Sequence, residues 1–184
     1  MLTFDDVLLT GLARDGGLYL PETWPQISAE QLRTFAGRPY DAVAVEVMWP
    51  YVEGTIERAA FEAIVHDAYA TFDAPEVVPL VELDRGLWLA ELFHGPTLAF
   101  KDVALQLVGR LFDHVLGERG ERVTIVGATS GDTGSAAIEA CRDRDAVDIF
   151  VLHPHGRTSE VQRRQMTTVL SSNCLLYTSP SPRD

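Results

Sequence analysis

Glu91-Leu-Phe-His-Gly-Pro-Thr-Leu-Ala-Phe-Lys-Asp102 brings a strand, a turn and a helix start together in one short stretch. Leu87 to Leu92 reads as a short buried strand and His-Gly-Pro-Thr as turn chemistry. From Asp102 onward Val103, Ala104, Leu107, Val108, Leu111, Phe112 and Val115 follow helical spacing. Lys101 therefore stands where a loop enters a helix, and it is the only lysine among the fifteen Lys and Arg residues. A guanidinium stays charged at any biological pH, whereas a lysine amine can lose its proton and attack a carbonyl carbon. The positive end of a helix works against an ammonium and so favours the nucleophilic form. The bland alternative is a surface lysine with no chemical part. Asp102, in the first turn, reads as a helix-start carboxylate without a catalytic role.

Working outward, the residues after Asp73-Ala-Pro75 alternate short apolar runs with helical patterns. Val77 to Val81, Leu87 to Leu92, Val123 to Val126 and Val147 to Leu152 read as strands. The helices at Lys101 to Leu116 and Thr133 to Arg142 read as crossovers in a mainly parallel sheet. Thr158 to Leu170 is a last candidate helix. Before Asp73 the pattern is helical: Phe4 to Leu12, closed by Gly11, then Ser28 to Phe35, Asp41 to Tyr51 and Thr55 to Ala70. Ser28 and Gln31 are spaced as a capping box. The expected class is α/β, a helical subdomain over 1–74 followed by a partial α/β domain over 75–170.

Ser171 to Asp184 breaks this pattern with two serines and two prolines in its last seven residues. It resembles translated adaptor or vector sequence, and 171–184 is expected to be a non-native or disordered tail.

Val123-Thr-Ile-Val126 followed by Gly-Ala-Thr-Ser-Gly-Asp-Thr-Gly-Ser135 and an apolar helix is a strand, a glycine-rich loop and a helix. Such a loop aims backbone N–H groups and the positive helix end at an anion. Gly127, Gly131 and Gly134 do not fit GxGxxG, and no lysine follows Gly134 as in a nucleotide-binding P-loop. A ligand-free strand-to-helix connection is the alternative.

Composition narrows the classes further. A net charge of -12, with Arg163-Arg164 the single basic cluster, disfavours nucleic acid and anionic lipid surfaces. No apolar run has the length of a membrane span, no secretion signal is legible, and the reading is cytoplasmic. Cys141 and Cys174 suggest neither a disulfide framework nor a metal site, and Cys141 reads as a buried thiol. His66 lacks a second ligand at metal spacing and reads as solvent-facing or hydrogen-bonded. The residues assign no oligomeric state.

Phe93-His-Gly-Pro-Thr-Leu-Ala-Phe-Lys-Asp102 resembles the cofactor-lysine motif of the threonine synthase family, pyridoxal-phosphate enzymes that share a fold with tryptophan synthase β and cysteine synthase. Gly11-Leu-Ala-Arg-Asp-Gly-Gly-Leu-Tyr-Leu-Pro21 and Gly127 to Ser135 agree with it, in order, over about Phe4 to Leu170. The resemblance implies an N-terminal fragment of a fold type II enzyme that uses pyridoxal 5'-phosphate to convert O-phospho-L-homoserine and water to L-threonine and phosphate. It implies Lys101 as the Schiff-base and proton-shuttling residue, with Phe100 and Asp132 beside the cofactor. Thr129, Ser130, Gly131, Thr133, Gly134 and His94 would take the substrate. Related enzymes often carry asparagine at position 132, and Asp132 would repel the phenolate oxygen that an asparagine binds, so its role stays open. The family's cofactor-phosphate loop and pyridine-nitrogen partner are expected outside this chain, which alone is expected to bind cofactor weakly and to turn over little or not at all. Another pyridoxal-phosphate lyase, such as a threonine or serine dehydratase, and a non-catalytic anion-binding domain are the alternatives.

Overall fold

The computed structural model describes residues 1–129 and 131–179. It divides into two compact units, 1–67 and 68–184, so the boundary falls inside the last turn of a helix, a few residues before the composition change at Asp73.

The first unit is helical. α1 (Phe4–Thr10) ends at Gly11, whose φ of 69° suits a residue without a Cβ. The following segment closes on itself through an isolated antiparallel bridge between Leu12 and Leu18. α2 (Ala29–Thr34) starts with the capping box expected from sequence: Gln31 N–H donates to Ser28 Oγ at 3.1 Å, and Ser28 N–H to Gln31 Oε1 at 2.9 Å. α3 (Tyr40–Val52) and α4 (Arg58–Tyr69) bury Val45, Val52, Phe61 and Val65. Trp49 packs on Phe61 with ring centroids 6.0 Å apart, and the Arg58 guanidinium lies 5.1 Å over the Trp49 ring. His66 is exposed and its Nδ1 lies 2.8 Å from Asp41 Oδ2.

The second unit opens with a hairpin. β1 (Leu80–Asp84) and β2 (Leu87–Ala90) pair antiparallel around a turn at Arg85-Gly86, and every residue of both strands is exposed. This corrects two expectations. Leu87 to Leu92 is not a buried strand, and the first two strands do not join the parallel sheet. A short apolar run reads alike in either setting, and the Asp84-Arg-Gly86 turn decides for a hairpin.

α5 (Asp102–Arg119) leads into the parallel sheet β3 (Val123–Ala128), β4 (Val147–Pro154) and β5 (Cys174–Ser179), in that spatial order. The crossovers are α6 (Asp132–Cys141) and α7 (Glu160–Thr167); α5 links the hairpin to the sheet instead. Val147, Ile149, Val151 and His153 alternate on the buried face of β4. The other face leaves Val126, Phe150, Leu152, Leu175 and Tyr177 exposed.

β5 overturns the disorder expected over 171–179. Cys174 to Ser179 pair with Ile149 to Pro154. Asn173 locks the entry, its Nδ2 donating to the carbonyls of Cys141 at 2.8 Å and Val147 at 2.7 Å. Cys-Leu-Leu-Tyr-Thr has the apolar, aromatic and β-branched content that an open sheet edge accepts. Residues 180–184 lie outside the described residues. Among the described residues no helix is long and apolar enough to cross a membrane, and no cluster of His, Cys, Asp and Glu could hold a metal.

Candidate active site

The lysine loop is built on Asp102. Its carboxylate is fully buried and accepts from Thr97 N–H (Oδ2, 2.8 Å) and Thr97 Oγ1 (Oδ1, 2.8 Å), which closes the loop onto the first residue of α5. A Cβ on Gly95 would stand 2.4 Å from Asp102 Cβ, so only glycine lets the chain pass there. Leu98 takes a left-handed conformation, φ 62°, between the buried Thr97 and Ala99. For a residue with a Cβ this costs about 1–2 kcal/mol, and the hydrogen bonds on either side hold it.

Lys101 precedes α5 directly and is half-buried. Its Nζ lies 4.2 Å from the centroid of the Phe100 ring, and among the described residues no carboxylate pairs with it. Phe100 is 60% exposed, which leaves the ring a free face.

His94 is held from both sides. Its Nδ1 lies 3.0 Å from Asp73 Oδ1 and its Nε2 2.8 Å from Glu91 Oε2, while Asp73 N–H donates to the His94 carbonyl at 3.0 Å. The hydrogen bond to Glu91 is the main cause that raises its pKa above the ordinary histidine value, with Asp73 adding to it. With both ring nitrogens engaged by carboxylates, His94 has no N–H left for a substrate phosphate in this arrangement. It ties the loop to the chain before β1.

The glycine loop is organised by Thr129, whose Oγ1 accepts from Gly131 N–H at 3.2 Å and Gly134 N–H at 3.1 Å. Gly134 is required by packing, whereas Gly131 is approached by the mobile end of Gln162. A Cβ on Gly134 would come 2.2 Å from Thr129 Cγ2, and one on Gly131 2.5 Å from Gln162 Nε2. Asp132 and Thr133 open α6 with exposed side chains, and the first N–H groups of a helix have no intrahelical acceptor. Ser130 lies outside the described residues. Asp132 turns toward α7, its Oδ1 accepting from Gln162 Nε2 at 2.6 Å.

The site residues that sequence reading missed are Gln162 and Gln165 on α7. Gln165 Nε2 donates to the Thr97 carbonyl at 2.9 Å, so two side chains one turn apart reach the two loops. The spacing Ser159-x-x-Gln162 was a legible helix-start signal, and the capping box is formed. Nothing local indicates partners 30 and 68 positions away.

A half-buried primary amine with no carboxylate partner among the described residues, beside an exposed aromatic ring, suits covalent capture of a planar aldehyde. The start of α6 suits a carboxylate. These residues fit a pyridoxal cofactor and an amino-acid substrate.

Residues 1–69 match the family profile described as Threonine synthase N terminus. The threonine synthase of Pseudomonas aeruginosa is 60% identical over 172 residues, 94% of this chain and 37% of that protein. Among solved structures, pyridoxal-phosphate-bound threonine synthase from Brucella melitensis superposes with a TM-score of 0.96 at 56% identity, over 98% of this chain and 39% of that one. Yeast threonine synthase gives 0.90 at 41% identity, over 96% and 37%. The lysine loop, the glycine loop and the parallel strands are thus those of a pyridoxal-phosphate enzyme fold. The chain belongs to the threonine synthase family and corresponds to its N-terminal part. It spans little more than a third of the length of the relatives it matches.

Proposed function

We propose that this chain forms the lysine-bearing part of a cytoplasmic carbon–oxygen lyase that converts O-phospho-L-homoserine and water to L-threonine and phosphate. The observation that carries the reading is Lys101, half-buried at the start of α5 and without a carboxylate partner among the described residues, in a fold that superposes on a pyridoxal-phosphate-bound threonine synthase. When bound, the cofactor supplies an electron sink for the substrate's carbanion character.

The chain's own residues supply the rest. Lys101 Nζ would be the attachment point for the cofactor's aldehyde, and as a free amine it would stand within reach of the substrate's α and β carbons and move protons there. Phe100 offers its ring face. The opening N–H groups of α6 at Asp132 and Thr133, together with Ser130, take the substrate carboxylate on a loop that Thr129, Gly131 and Gly134 shape. Asp132, engaged by Gln162, is assigned to loop geometry and not to the cofactor oxygen. His94 is assigned to holding the lysine loop.

The full-length polypeptide carrying these residues is expected to release phosphate from O-phospho-L-homoserine, and Lys101→Arg to abolish both turnover and the long-wavelength cofactor absorbance. Absence of phosphate release with ammonia release from threonine or serine would assign a dehydratase instead. The glycine loop of this chain is assigned to the substrate carboxylate and not to the cofactor phosphate, so the isolated chain is expected to bind the cofactor weakly; tight stoichiometric binding in an absorbance titration would contradict this.

A further inference from the structure

We infer that α7 is a bracket that sets the lysine loop against the glycine loop, with Gln162 and Gln165 as its positioning residues, an inference that rests on the reading of Lys101 as the cofactor lysine. Both glutamines leave the same side of α7, being three apart. Gln165 Nε2 holds the Thr97 carbonyl at 2.9 Å, and Thr97 is fastened by its N–H and hydroxyl to Asp102, the residue after Lys101. Gln162 Nε2 holds Asp132 at 2.6 Å while its Oε1 accepts from Ser159 Oγ at 2.9 Å and Ser159 N–H at 3.3 Å.

The aspartate at 132 fits this role. A carboxylate accepts only, so Gln162 must present its NH2 to α6 and its carbonyl to its own helix start. Next to Gln165 and one turn on from Gln162, Met166 is 2% exposed and its sulfur lies 3.0 Å from the place a Gly134 Cβ would take. The bracket therefore closes on the glycine loop by packing as well as by hydrogen bonds. Neither glutamine touches a reacting atom. They act through Thr97 and Asp132, and a shift of α7 would move both loops together.

Gln165 gives the cleaner test, because Gln162 also caps α7. In the 184-residue chain, Gln165→Ala and Gln165→Glu remove the donor. Each is expected to speed amide exchange about fivefold across both 97–101 and 131–134, the equivalent of one lost hydrogen bond. Gln165→Arg keeps a donor, adds no primary amine, and is expected to restore most of the protection. A second arm treats the chain with pyridoxal phosphate and cyanoborohydride and measures the trapping rate at Lys101 by peptide mass, with the Met1 amine as internal reference. The Ala and Glu variants are expected to trap about fivefold more slowly at Lys101 and equally at Met1.

Exchange at 131–134 and trapping at Lys101 both unchanged in the Ala and Glu variants would overturn the bracket. Faster exchange at 97–101 alone, with 131–134 unaffected, would also overturn it, since the loops would then be independent. If wild-type Lys101 traps no faster than Met1, the cofactor-lysine reading fails, while the exchange arm still decides the coupling.

Discussion

At the scale of single residues, the lysine loop depends on Asp102 more than the sequence suggests. A carboxylate at a helix start reads as a dipole effect, yet here it is buried and takes both polar groups of Thr97. Asp102→Ala leaves two buried donors without acceptors and is expected to cost about 2–4 kcal/mol in denaturant unfolding. Asp102→Asn, which can still accept from the N–H while the Thr97 hydroxyl turns to accept, should cost about 1 kcal/mol. Equal losses would show that the charge and not the hydrogen-bond pattern matters. His94 adds a pH dependence. Its pKa is raised on folding by Glu91 and Asp73, so its contribution is full below about pH 6.5 and is lost as pH rises through the folded value. Melting temperature should therefore fall between pH 6 and pH 9, and His94→Gln should flatten part of that slope. His66, whose pKa is raised chiefly by its hydrogen bond to Asp41, contributes to the same slope. An unchanged slope in His94→Gln would remove the histidine from the loop's support.

Elements divide into those legible in sequence and those that were not. The helices, β3 and β4 follow from apolar periodicity, and the α2 cap from Ser28 and Gln31. The hairpin was misplaced because four or five apolar residues do not say whether they are buried. β5 was missed because the serine- and proline-rich end outweighed Cys-Leu-Leu-Tyr-Thr, whose pairing is supplied by a distant edge of β4. The lysine and glycine loops were readable as motifs, whereas the α7 contacts depend on how three separated segments converge. The meeting of α5 and α6 illustrates the same limit. A Cβ on Gly109 would lie 2.3 Å from the Ala140 carbonyl oxygen, whereas one on Gly117, in the same helix, meets nothing within 4 Å. Gly117→Ala should stabilise by about 1 kcal/mol through helix propensity. Gly109→Ala gains the same term but must push backbone away, and a clash cost of about 1–3 kcal/mol leaves it destabilised. Thermal melts showing both variants stabilised would mean the helices do not meet this closely.

For the whole molecule, the exposed apolar surface is as informative as the core. Leu80, Leu83, Leu87 and Trp88 on the hairpin are more than half exposed, and Val126, Phe150 and Tyr177 stand out from one sheet face. Parallel sheets are ordinarily covered on both faces. The chain spans 37% of its relative from Pseudomonas aeruginosa, and exposed apolar surface of this kind ordinarily marks a contact face. The proposed site follows the same logic, since the chain would offer the attachment amine and one helix start suited to an anion. The central claim is therefore chemical and local: Lys101 is the residue that captures the cofactor's aldehyde. It is tested most directly by reducing the chain with borohydride in the presence of pyridoxal phosphate and locating the adduct by peptide mass spectrometry. The account predicts label on Lys101 in preference to Met1, and its loss in Lys101→Arg. Label confined to the N-terminal amine, or an equal yield in Lys101→Arg, would contradict it.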